Sequence, residues 1–208
     1  SFNASLSGAE PESVLEVSSI PPLNLEQRIN DLLQYPHGCA EQITSQAFPQ
    51  LALSWLLALS PAQQITAENN VREVINRLRS YQTPEGGFAY WPGEPYISEW
   101  ATSYAVNFLA NAQKQGYAVP IQMLQHATNY MRQVANSWNR TEPWSQQDQA
   151  YRLYVLALAG KPDLAAMNRL KETRLQRPVS QWLLASAYAL SNQQEIATKM
   201  IRDLSFEV

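Results

Sequence analysis

The chain has 208 residues, 45% hydrophobic and only 16% charged, with six Trp and ten Tyr, so it can bury a real core and is not disordered. Its net charge of -3 and its singly scattered Lys and Arg leave no electrostatic footprint for a polyanion, which excludes nucleic acid as a partner. The greasiest stretch, Leu51 to Leu59, is far shorter than the about 18 apolar residues of a transmembrane helix.

Residues 1–23 are polar and turn-rich except for Val14-Leu15-Glu16-Val17-Ser18. That β-branched run, followed by Pro21-Pro22, predicts a short strand belonging to an adjacent domain. Helical periodicity begins at Asn24, a cap with Gln27 three residues on, and Leu25, Ile29, Leu32 and Leu33 share one face of a helix ending before Pro36. Residues 24–208 therefore read as one helical domain. Neither Ser1 nor Val208 reads as a natural terminus, and the last helices of the domain are expected beyond the sequence.

A second helical stretch opens at Cys39 and runs to about Ser60, with a break expected at Pro49. A third is predicted from Thr66 to Gln82, then an aromatic Gly/Pro-rich loop over 83–97. Further helices are expected over about 99–115, 121–137, 146–159, 163–173, 179–191 and 193–204. Ser98, Ser145 and Asp163 serve as N-caps, Gly116 and Gly160 as C′ residues, and Pro120 and Pro178 stand near first turns. Apolar helices such as Tyr154 to Ala159 and Ala185 to Leu190 alternate with amphipathic ones. Leu156-Ala157-Leu158 superposes on Tyr188-Ala189-Leu190, marking a helical-hairpin repeat. A double layer of helices satisfies this alternation, closed as an α/α toroid or open as a solenoid.

The informative segment is Tyr35-Pro36-His37-Gly38-Cys39-Ala40-Glu41-Gln42. A thiol and a carboxamide three residues apart at a helix start lie on one side of the first turn, so sulfur can reach the Gln42 side-chain carbonyl and close a thioester with loss of ammonia. That acyl group would be activated because its leaving group is a thiolate, of free pKa about 8.5 and lower at a helix N-terminus. Gly38 permits a tight entry. The bland alternative is a small buried hydrophobe at a helix start, the commoner fate of a lone cysteine.

The same segment resembles the thioester signature of the alpha-macroglobulin and complement family, Tyr-Pro-Tyr-Gly-Cys-Gly-Glu-Gln, with His37 and Ala40 as the two departures. Ile20 to Leu25 resembles that domain's strand-to-helix entry. Glu85 to Trp91 and Ser98 to Ala105 are similar to its Asp-Gly-Ser-Phe loop and the helix after it. The resemblance covers about residues 14–160 and implies an all-α fold, an α/α toroid of helical hairpins. It implies a single-use protease-trapping module rather than a turnover enzyme: after bait cleavage elsewhere in the parent protein, the Cys39–Gln42 thioester acylates lysine amines of the target protease. Other domains of the parent would be its further partners. The near absence of cysteine is more like the bacterial branch, which implies an exported protein, periplasmic or lipid-anchored.

With two histidines and no cluster of Cys or His, no metal and no cofactor are predicted. The family's acyl-transfer histidine would fall near Asn136 to Thr141, where none occurs, so direct amine acylation is expected. His37 as a local acid or base competes with a packing role in place of Tyr, and His126 reads as a surface residue. Glu41 opposes the positive end of the helix dipole and is a candidate to tune the bond. Tyr35, Pro36, Phe88, Tyr90 and Trp91 are candidates to shield the site from water, together with Tyr96 and Trp100, although core packing is the favoured role for this aromatic cluster. Two competing classes remain. Gln82 to Phe88 is similar to the Gln-Gly-aromatic repeats of terpene cyclases, but no Asp-x-Asp-Asp motif accompanies it. A tetratricopeptide-like scaffold explains the repeat and leaves Pro36 to Gln42 without a reason.

Overall fold

The computed structural model describes residue 33 and residues 36–139 and 142–202. The strand expected at 14–18, nearly all of the helix expected from Asn24, and Tyr35 lie outside the described residues. Within them the chain is helical, apart from two isolated antiparallel bridges, Gln82 to Phe88 and Ala89 to Ile97.

Helix α1 (Ala40–Ala47) stops ahead of Pro49, which lacks a backbone donor. The chain continues as a 3-10 turn (Pro49–Leu51) and a single turn of helix, α2 (Leu53–Leu56). Helix α3 (Pro61–Arg77) begins five residues before the expected Thr66. Ser60 explains the difference: its Oγ accepts the Gln63 N–H at 3.3 Å while its own N–H donates to Gln63 Oε1 at 2.9 Å, with Pro61 preset for the first turn. A 3-10 turn, Leu78–Tyr81, ends it.

Helices α4 (Glu99–Lys114), α5 (Ile121–Ser137), α6 (Pro143–Leu158), α7 (Leu164–Glu172), α8 (Pro178–Leu190) and α9 (Gln194–Ile201) follow the expected order. Ser98 and Asp163 cap as expected, accepting from Ala101 N–H at 3.1 Å and Ala166 N–H at 3.0 Å. Ser145 does not. Pro143 starts α6 one turn earlier behind Glu142, and Ser145 is buried inside the helix, where its Oγ accepts the Trp138 indole N–H at 2.9 Å. After α4 and α6, Gly116 and Gly160 take positive φ of 89° and 72°. There the Tyr117 and Lys161 N–H groups return to the Ala112 and Leu156 carbonyls.

The two layers follow from the alternation in the sequence. Helix α1 packs on α4, α4 on α6 and α6 on α8, and α6 buries Ala150, Leu153, Val155, Leu156 and Ala157 almost all round. The amphipathic helices lie outside: α5 buries only Met123, Leu124, Ala127, Thr128, Met131 and Ala135, the one stripe a half-exposed helix can present. Helices α1 and α4 run parallel, since Ser45 meets Tyr104 and Phe48 meets Phe108 in step. The start of α1 thus lies level with the start of α4.

Candidate functional site

Cys39 is the N-cap residue of α1, in extended conformation (φ −71°, ψ 170°), and Gln42 is the third residue of the helix. Together they form a capping box in which cysteine occupies the place of Ser or Thr. The Cys39 N–H, one of the donors a helix start leaves without an intrahelical partner, donates to Gln42 Oε1 at 3.0 Å. The carboxamide is therefore folded back onto the backbone of the residue that carries the thiol. Gly38 makes this possible twice over. Its φ of +115° is open to glycine, and a Cβ there would stand 2.1 Å from Gln42 Oε1 and 2.9 Å from the carbonyl carbon.

Three distant segments hold the turn. Tyr81, 2% exposed at the end of the 3-10 turn after α3, donates its hydroxyl to the Gly38 carbonyl at 2.7 Å. The Arg77 guanidinium donates to the Pro36 carbonyl. Within the 83–97 loop, the Tyr90 carbonyl accepts the Ala40 N–H at 2.9 Å, satisfying a second orphan donor of α1. That loop is itself held by contacts to α4 and α5. Phe88 N–H donates to Thr102 Oγ1 and Ser98 N–H to the Phe88 carbonyl. Gln82 reaches the Gly86 and Met123 carbonyls, and Gly86 presses so close to α5 that a Cβ would meet the His126 carbonyl at 2.6 Å.

The candidate residues separate clearly. Cys39 and Gln42 are brought together, and Glu41 lies in the first turn of α1. His37 is exposed, and its N–H donates to Gln46 Oε1 at 2.9 Å. Pro36 is buried. Of the aromatic cluster, Phe88 is fully buried in the core, the role favoured from the sequence, whereas Tyr90 and Trp91 stand 38% and 51% exposed beside the start of α1. Trp100 stacks on Tyr104, and Tyr96 is exposed. His126 is exposed on α5, as expected. Sequence reasoning missed the holding roles of Arg77, Tyr81 and the Tyr90 carbonyl. Their contacts span roughly forty to fifty residues and leave no local periodic signal.

A helical domain of this layering with a Cys–Gln turn at one helix start defines a class. Residues 12–137 match the family model described as the A-macroglobulin TED domain, the thioester domain. Among curated proteins, the chain is 31% identical over 175 residues to alpha-2-macroglobulin of Escherichia coli K12, covering 78% of this chain and 11% of that protein. It is 28% identical over 190 residues to alpha-2-macroglobulin of Xylella fastidiosa, covering 83% and 11%. Native alpha-2-macroglobulin from Escherichia coli superposes with a TM-score of 0.73 at 26% identity, over 88% of this chain and 31% of that one. Salmonella alpha-2-macroglobulin reacted with methylamine gives 0.72 at 28%, over 88% and 13%. The fold is thus the α/α toroid of these thioester domains. The chain belongs to the A-macroglobulin thioester-domain family, and it spans about a tenth of the length of the curated bacterial alpha-2-macroglobulins it matches.

Proposed function

We propose that Cys39 and Gln42 form an internal thioester and that the domain serves a protease trap as its single-use acylating module. The observation that supports this best is the Cys39 N–H on Gln42 Oε1, with Gly38 leaving room for the folded carboxamide. Bond formation balances simply: sulfur attacks the Gln42 carbonyl carbon, the C–N bond breaks, and the amide nitrogen leaves as ammonia with the thiol proton. In the second step a target lysine amine attacks the same carbon, the C–S bond breaks and Cys39 is returned as a thiol.

In this reading the parent protein covers the bond with another domain until bait cleavage releases it, and Tyr90 and Trp91 lie where that cover would rest. Low water access then preserves the acyl group. Asn136 to Thr141 carry no histidine, so in this reading amines attack the acyl group directly and hydroxyls are poor acceptors. On the same reading the parent is an exported bacterial protein, periplasmic or lipid-anchored. Among the described residues no helix is long and apolar enough to cross a membrane.

Intact mass with thiol titration, before and after methylamine, tests the chemistry. The bonded chain is lighter than its sequence mass by one ammonia, has no titratable thiol, and gains one methylamine while releasing one thiol. Full mass with an alkylatable Cys39 from the outset, in freshly isolated protein, contradicts the reading.

A further inference from the structure

The Tyr81 hydroxyl and the Gln42 carboxamide hold opposite ends of one peptide group. Tyr81 donates at 2.7 Å to the carbonyl oxygen of Gly38, and the N–H on the other side of that same amide, which belongs to Cys39, donates at 3.0 Å to Gln42 Oε1. From this juxtaposition we infer that the Cys39 amide is the oxyanion donor for thioester formation and aminolysis, and that Tyr81 is the positioning residue that orients and polarises it. This rests on the thioester reading above.

Oε1 is the one heteroatom of the carboxamide retained throughout. It is the amide oxygen before closure, the oxyanion when sulfur attacks, the thioester carbonyl oxygen, and the oxyanion again when an amine attacks. In each tetrahedral intermediate the electron pair of the C=O bond moves onto Oε1 and returns as nitrogen or sulfur leaves. A donor already aimed at that oxygen strengthens as charge builds and needs no reorganisation. The Cys39 N–H is available because it precedes the α1 ladder, and the positive end of α1 lies behind it.

A hydrogen bond to an amide carbonyl makes the N–H of that amide a better donor. Tyr81 is placed to supply this, buried at 2% exposure with its ring in the core. It also fixes the tilt of the Gly38–Cys39 peptide plane, which at a φ of +115° has no helical or strand partner to fix it. Pro36, held by Arg77, steadies the preceding residues without touching this amide.

Y81F keeps the ring and deletes the donor. In protein whose wild-type form shows the ammonia deficit, Y81F is expected to slow methylamine-triggered thiol release about three- to tenfold, a fraction of what losing an oxyanion donor outright costs. Spontaneous hydrolysis should slow with it. A loosened turn would do the reverse, exposing the bond and accelerating both, so unchanged or faster reaction overturns the assignment. The thioester carbonyl stretch, read by difference infrared with the Gln side-chain carbon labelled, should move to higher wavenumber in Y81F; an unmoved band also overturns it. If Y81F fails to fold or carries no bond, 3-fluorotyrosine at position 81, a stronger donor, must accelerate thiol release, and failure to do so rejects the role. Should the wild-type chain itself lack the ammonia deficit and release no thiol, the thioester reading fails instead, and this inference falls with it.

Discussion

Two helices in this chain begin with the same hydrogen-bonding device and differ in everything around it. Ser60 and Gln63 close a capping box at α3, and Cys39 and Gln42 close one at α1, with N-cap N–H to Gln Oε1 distances of 2.9 and 3.0 Å. The Ser60 box is completed within its own turn and is followed by a proline that fixes the first turn. The Cys39 box is preceded by a glycine at φ +115° and tied to Tyr81, Arg77 and the Tyr90 carbonyl. A reciprocal cap therefore brings a nucleophile position and a carboxamide together for structural reasons alone. The soft sulfur and a turn held from outside are what distinguish a reactive pair from a helix start.

The largest expected effect follows from Gly38→Ala. An L residue at φ +115° is strained by about 1–2 kcal/mol, and its Cβ would stand 2.1 Å from Gln42 Oε1, so the carboxamide must leave its position. The ammonia deficit and the methylamine-released thiol should both disappear by mass and titration, with Tm lower by a few degrees. Leu59→Ala, a substitution at the equivalent position before the Ser60 box, should leave the deficit intact.

Exchanging the two nucleophile positions sharpens the contrast with less damage to the fold. Cys39→Ser keeps a competent cap, so its Tm should lie within about 2–4 °C of wild type, the equivalent of about 1 kcal/mol in a domain of this size. No ammonia should be lost. Ser60→Cys should add one thiol that alkylates at once while the mass deficit stays at a single ammonia. A second deficit in Ser60→Cys would show that capping geometry suffices and that the Tyr81, Arg77 and Tyr90 contacts are dispensable.

Much of this contrast is legible in the sequence, and the part that is not has a physical cause. The Cys39–Gln42 spacing, the Ser98 and Asp163 caps, the break at Pro49 and the positive-φ glycines at 116 and 160 are local, determined within a turn or two of chain. The α3 start is hidden because the segment 62–66 holds Ile65 as its single large apolar residue and shows no helical period, although Ser60-Pro61 and Gln63 carry the signal. Residue type alone points to Ser145 as a cap, whereas Pro143 is the stronger start signal. Phe88 against Tyr90 and Trp91 could not be sorted by type, since bridges to Gln82 and Ile97 decide which face of the loop turns inward. Nor does local pattern reveal that Tyr81, at the end of the 3-10 turn after α3, sends its hydroxyl to the Gly38 carbonyl.

The smallest expected effect uses the start of α7, whose cap is charged where those at Cys39 and Ser60 are neutral. Burial works against the Asp163 carboxylate, but the Ala166 N–H, the Asn136 amide and the nearby Arg132 and Arg169 outweigh it and hold its pKa below 3.8. A carboxylate depressed on folding contributes stability that is present above the unfolded value and lost as pH falls through the folded one. Asp163→Asn retains a capping oxygen and cannot titrate, so its Tm should decline less between pH 5 and pH 3 than that of wild type, by about 1–2 °C within the cap's own worth of about 1 kcal/mol. Hydrogen exchange over the same range should rise first in the opening turn of α7 and leave the Ala40 amide, which is capped by the Tyr90 carbonyl, protected. If acid instead opened the Cys39 turn together with α7, the two helix starts would be one cooperative unit, and the Tyr81, Arg77 and Tyr90 contacts would not isolate the site as described.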